Sequence, residues 1–232
     1  MYVELLISGV FLLLCCVCVV FFAFLLCMNE KTDRKKGRWE WRIFDKDLSA
    51  LEKPPAFHVP EPVQESTEIY LVSKTCEDNI KIRYNFLDIK RLLQINKYGF
   101  EQWIPILKEV FPLSKETTDI LWKGLSVSVE MPATFPLSMN HFLNTLKKDA
   151  HIAHITVEKE RYRYTIDGCM GEYSQIRVNG SRYETIALEH PDDNHLYYTL
   201  QSLGWGSHLN MNYIYFLKSI LDKHDKSGED QS

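Results

Sequence analysis

The chain has 232 residues, a formal net charge of −4 at pH 7 and 12% aromatic residues. That charge balance offers no overall basic field, which excludes broad electrostatic capture of nucleic acid. The aromatic content excludes a disordered chain, and the length suffices for one domain with a core of its own.

After a tip of residues 1–4, residues 5–28 carry no charge and no proline. As a helix they would reach about 36 Å, enough for a hydrocarbon core of about 30 Å. Lys31, Arg34, Lys35, Lys36 and Arg38 follow at once, and an excess of cations marks the cytoplasmic side of a span. The expectation is a single-pass membrane protein whose C-terminal domain lies in the cytoplasm. Cys15, Cys16, Cys18 and Cys27 fall in or at the end of the apolar run, while Cys76 and Cys169 stand alone. No spacing suits a zinc site or a disulfide framework. Residues 29–65 read as a basic juxtamembrane stretch and a linker studded with Pro54, Pro55, Pro60 and Pro62. Trp39 and Trp41 are expected at the membrane interface.

Residues 66–222 read as the folded domain, and 223–232 as a polar tail. Residues 67–74, 79–86 and 87–95 alternate β-branched or aromatic residues with polar ones and predict strands. Residues 100–111 place Phe100, Trp103, Ile104, Leu107 and Val110 near helical spacing, with Pro105 bending the helix or sitting in its first turn. Helices are also predicted over 114–125 and 136–149, each with a serine cap at its start (Ser114, Ser138). Strands return at 154–167, 171–180 and 182–190, and helices close the chain at 192–204 and 210–224. Strand runs without strand–helix alternation predict a mostly antiparallel α+β domain.

The strands carry charge on one face. Lys81 and Arg83 alternate with Ile80 and Ile82; Lys159, Arg161 and Arg163 alternate with Tyr162 and Tyr164. Taken singly, such faces are solvated. Taken together, with helices available to cover the apolar faces, they fit a barrel that is apolar outside and charged inside. Cations sharing a lumen repel: at an effective dielectric of about 20, a like pair 4 Å apart costs on the order of 4 kcal/mol. Carboxylates or a bound polyanion must lie between them, and phosphate accepts charge-assisted hydrogen bonds from both Arg and Lys.

The stretches TEIYLVS, IKIRYNFLDIK, VEKERYRYTIDGCMGEYSQI, ETIALE and LGWGSHLNMNYIYFLKSIL resemble, in this order, the CYTH superfamily of triphosphate tunnel metalloenzymes. The resemblance covers roughly 66–222. It implies an eight-stranded antiparallel β-barrel, or tunnel, with flanking helices. Its inward cations would hold a triphosphate or polyphosphate: Lys81, Arg83 and Lys90 from the first half, Lys159, Arg161 and Arg163 from the second. Glu68, Glu172 and Glu189 would be the carboxylates for Mg²⁺ or Mn²⁺. The family opens on alternating Glu-x-Glu-x-Lys, and those positions, read onto TEIYLVS, are Glu68, Tyr70 and Val72. Three functions follow from the resemblance: binding with metal-dependent triphosphate hydrolysis, a non-catalytic sensor or scaffold for the anion, or a class IV-type nucleotide cyclase. No base-reading motif supports the third, and no protein partner is indicated.

Overall fold

A computed structural model describes residues 37–51 and 62–229, with side chains as far as residue 222. Eight strands form a closed antiparallel barrel: β1 (Arg38–Asp45), β2 (Gln64–Ser73), β3 (Asn79–Arg83), β4 (Phe86–Ile95), β5 (Glu101–Val110), β6 (Ile152–Ile166), β7 (Cys169–Val178) and β8 (Ser181–His190). The order around the barrel is β1-β5-β4-β3-β2-β6-β7-β8, and β1 closes it by pairing with both β8 and β5. Helices α1 (Lys115–Gly124) and α2 (Met139–Leu146) lie between β5 and β6, and α3 (Asp193–Ser202) and α4 (Tyr213–Glu229) follow β8.

Local chemistry explains the hairpins. Tyr84 and Asn85 join β3 to β4 with φ of 48° and 64°. Asp167-Gly168 joins β6 to β7, and Asn179-Gly180 joins β7 to β8, again with positive φ at both residues. Two-residue turns of this kind match the right-handed twist of the strands they connect, and glycine adopts the second position without a steric penalty. Ser114 and Ser138 cap α1 and α2 as expected, accepting from the backbone N–H of Thr117 and His141.

The alternation in the strands partitions the barrel wall. Ile80 and Ile82 point outward into a core with Leu121, Leu125, Phe142 and Leu146, under α1 and α2. A second outer core packs Trp41, Ile186 and Leu188 against Leu196, Leu200 and Trp205. The third core is internal. Val72, Val157, Ile176 and Val178 share their strand faces with residues that line the barrel cavity, and they pack on Tyr213, Phe216, Leu217 and Ile220. Helix α4 therefore closes one end of the barrel.

Three expectations need correction. Residues 100–111 are not a helix: Glu101–Val110 is strand β5. A register shift sets Ile89 opposite Leu107 but Lys90 opposite Pro105, so Ile106 is an extra residue. Trp103 then faces the cavity while Leu107 packs outward. The bulge breaks the two-residue period and imitates a helical one.

Arg38–Asp45 are not linker. They form β1, and Trp41, expected at a membrane interface, is 2% exposed in the barrel's own core, stacked on Trp205 at 6.0 Å. Residues 29–36 and 52–61 of the predicted linker lie outside the described residues.

The membrane placement is also corrected. No helix among the described residues is long and apolar enough to cross a membrane. The span predicted over 5–28 lies outside them, and the single-pass, cytoplasm-facing assignment is not retained.

Candidate functional site

The barrel encloses a cavity of about 350 Å³. Lys81, Arg83, Lys90, Lys159, Arg161 and Arg163, the six cations expected inside a barrel, all line it. Arg42 of β1 is a seventh. Four acidic residues share the wall: Glu40, Asp88, Glu172 and Glu189.

Two carboxylates, one buried and one half-buried, organise the cations. Glu68, fully buried, lies 3.5 Å from Lys81 Nζ and 3.1 Å from Arg83 Nη1, and accepts from the Tyr70 hydroxyl at 2.9 Å. Burial alone would raise its carboxyl, but Lys81, Lys159 and Arg83 outweigh it and hold it at about 2. Glu172 takes Lys159 Nζ at 2.7 Å, Arg42 Nη1 at 3.1 Å and Arg161 Nη1 at 3.7 Å, and accepts from Ser174 at 3.2 Å. Burial opposes its ionisation too, yet Lys159 and Arg42 hold it well below the usual carboxylate range. Lys81 moves the other way. Burial lowers it, Glu68 offsets part of that, and the neighbouring Lys159, Arg83 and Lys90 bring it to about 8.

A third acidic feature is a pair. Glu40 and Glu189 face each other in the β1–β8 register. Burial and the facing Glu40 push Glu189 above the ordinary range. Burial acts the same way on Glu40, but Arg42, whose Nε lies 2.7 Å from it, and Lys90 hold it below.

The residues expected to bind metal do not assemble. Glu68 is engaged by Lys81, Arg83 and Tyr70, and Glu172 by three cations. Glu189 has only Glu40 as an acidic neighbour in register. Among the described residues, no group of three or more His, Cys, Asp or Glu side chains is arranged to hold a metal ion. Hard divalent ions need several free oxygen ligands, and this donor set does not fit Mg²⁺ or Mn²⁺.

Sequence reasoning missed Glu40, Arg42 and Tyr213. The first two were legible in RWEWRIFD, where Glu40 and Arg42 alternate with Trp39, Trp41 and Ile43 as Lys81 and Arg83 do with isoleucines. The first described strand of the barrel is β1, and Arg38, Glu40 and Arg42 alternate along it. Tyr213 begins α4 and carried no strand signal.

No protein-family model matches the chain, and no curated protein matches it in sequence. Among solved structures, a candidate adenylate cyclase from Bacillus halodurans is similar at 16% identity and a TM-score of 0.40, covering 75% of this chain and 95% of that one. A candidate adenylyl cyclase from Hippeastrum, with a dominant triphosphatase activity, gives 10% identity and 0.39, over 72% and 88%. The PH1012 protein of Pyrococcus horikoshii gives 12% and 0.39, over 78% and 96%. Likeness of this degree assigns neither activity nor ligand.

Proposed function

We propose that the chain binds a triphosphate or polyphosphate anion in the barrel cavity. One observation carries this reading: seven cations from β1, β3, β4 and β6 converge on one cavity closed at its far end by α4. Their cost is offset in the free protein by Glu68 and Glu172, and an entering phosphate chain would add charge-assisted hydrogen bonds to the cations that those carboxylates share. The engagement of both carboxylates favours binding without turnover over metal-dependent hydrolysis. A cyclase reading finds no added support.

The test is thermal unfolding with increasing tripolyphosphate, with sulfate as control and phosphate release followed in parallel with Mg²⁺ or Mn²⁺. A ligand specific to the folded state stabilises it by about 2.7 kcal/mol at a hundredfold excess over Kd. The expected result is stabilisation by tripolyphosphate, little by sulfate, and no release of phosphate. Equal effects of the two anions would overturn the binding reading; rapid release would restore hydrolysis.

A further inference from the structure

Tyr213 stands out among the residues of the cavity wall. It is 6% exposed, it lines the cavity, and its hydroxyl is buried without a hydrogen-bond partner. Buried hydroxyls are nearly always paired, because desolvating one without a partner is costly. The ring has no freedom to swing the hydroxyl elsewhere. Tyr70 stacks on it at 5.3 Å, Phe44 meets it edge-on at 4.9 Å, and Arg42 and Lys159 each sit 5.0 Å from its centroid. The backbone is fixed as well: Asn212 precedes α4, accepts from the Tyr215 N–H at 2.8 Å and donates to Glu101 at 2.8 Å.

The position of the tyrosine gives the missing partner its character. Tyr213 is the first residue of the helix that closes the barrel. A chain entering from the open end meets it last. The neighbouring wall offers a second buried donor without a partner, Arg161 Nε. Unused donors call for a ligand rich in acceptors, and ionised phosphoryl oxygens are acceptors only. Burial raises the phenol above its ordinary value in spite of Lys159 and Arg42, so the hydroxyl keeps the proton it would donate.

We infer that the Tyr213 hydroxyl is the terminal donor of the cavity, hydrogen-bonding a phosphoryl oxygen at the end of the bound phosphate chain. The inference rests on the anion-binding reading and adds that the cavity selects a chain end.

Tyr213→Phe tests it, because the variant keeps the ring, its stacking and its cation contacts and loses one oxygen. Tripolyphosphate affinity is measured by calorimetry for the wild type, Tyr213→Phe and Tyr215→Phe; Tyr215 is 62% exposed and serves as control. The expected result is a loss of about tenfold to a hundredfold for Tyr213→Phe, the range of a hydrogen bond to a charged group. The ligand-free melting point of that variant should be unchanged or raised, since no bond is broken in the free protein. Tyr215→Phe should match the wild type. If Tyr213→Phe binds tripolyphosphate as tightly as the wild type does, this inference fails and the anion-binding reading stands. A lower ligand-free melting point with unchanged affinity overturns it likewise, by making the hydroxyl structural. If the wild type itself does not bind, the parent reading has failed and this one with it.

Discussion

Lys81 shares Glu68 with Arg83 and shares the cavity wall with Lys159 and Lys90. With its ammonium brought to about 8, it is charged below that pH and neutral above it. An anion binds the charged form better, so tripolyphosphate affinity should fall as pH rises from 7 to 9. Binding near pH 8 should also take up protons, because the ligand's charge raises the lysine again; calorimetry in buffers of different ionisation enthalpy reads this directly, and zero uptake would count against an inward lysine. Stability responds with the opposite sign. The folded value lies below the ordinary lysine value of 10.5, so the unfolded chain holds more protons between about 8 and 10.5, and this lysine's contribution to stability grows with pH across that window. Glu68 has its folded value depressed to about 2 from 4.5. Its contribution is present above 4.5 and is lost as pH falls toward 2. Glu68→Gln leaves Lys81 and Arg83 without their shared charge, and breaking a buried pair in this way costs about 3–5 kcal/mol. Tripolyphosphate should then raise the variant's melting point by more than it raises the wild type's. Equal shifts would mean that the carboxylate and the anion do not serve the same cations.

At the scale of elements, β1 is the closing stave. It pairs with β8 over Trp39–Asp45 and with β5 over Arg38–Glu40. Its outer face is anchored by Trp41, which stacks on Trp205 and donates from Nε1 to the His208 carbonyl at 3.1 Å. Trp41→Ala removes a buried indole at this seam and should cost about 3–5 kcal/mol, read as a lowered denaturation midpoint. A change under 1 kcal/mol would instead suit an indole with no part in the barrel core. The strands with an unbroken two-residue period were legible from the sequence: Lys81 and Arg83 against Ile80 and Ile82 already implied a charged face and an apolar one. So were the capped helices, through Ser114 and Ser138. Strand β5 was not, because the extra residue at Ile106 turns Trp103 and Leu107 to opposite faces. Strand β1 was hidden differently. Its alternation is as regular as that of β3, but its tryptophans lie close to a basic, apolar-flanked stretch and have an equally physical reading as interfacial anchors. Tyr213 was illegible for a third reason: a helix that enters a barrel end is amphipathic like any surface helix, and only tertiary packing shows which wall it meets.

For the whole molecule, helices cover the apolar stretches of the outer wall and the inner wall is charged, so the cavity has to be nearly self-neutralising before any ligand arrives. Glu68 and Glu172 do this by dividing five cations between them: Lys81 and Arg83 on one, Arg42, Lys159 and Arg161 on the other. A carboxylate that serves as counter-ion to two or three cations has fewer lone pairs left for a divalent metal, and a metal drawn into the cavity would face the remaining positive charge at close range. The phosphate chain, by contrast, meets cations already positioned for it. The consequence is a binding equilibrium that does not need a metal. Tripolyphosphate should bind in EDTA at least as tightly as in millimolar Mg²⁺, and Mg²⁺ should weaken binding if it acts by complexing the free anion and reducing its charge. Calorimetric titrations in the two conditions, at one pH and ionic strength, decide the matter. Binding that appears only when Mg²⁺ or Mn²⁺ is added would show that Glu68, Glu172 or the Glu40–Glu189 pair gives up its present partners to a metal, and the counter-ion account of the cavity would have to be replaced by one in which the carboxylates rearrange on loading.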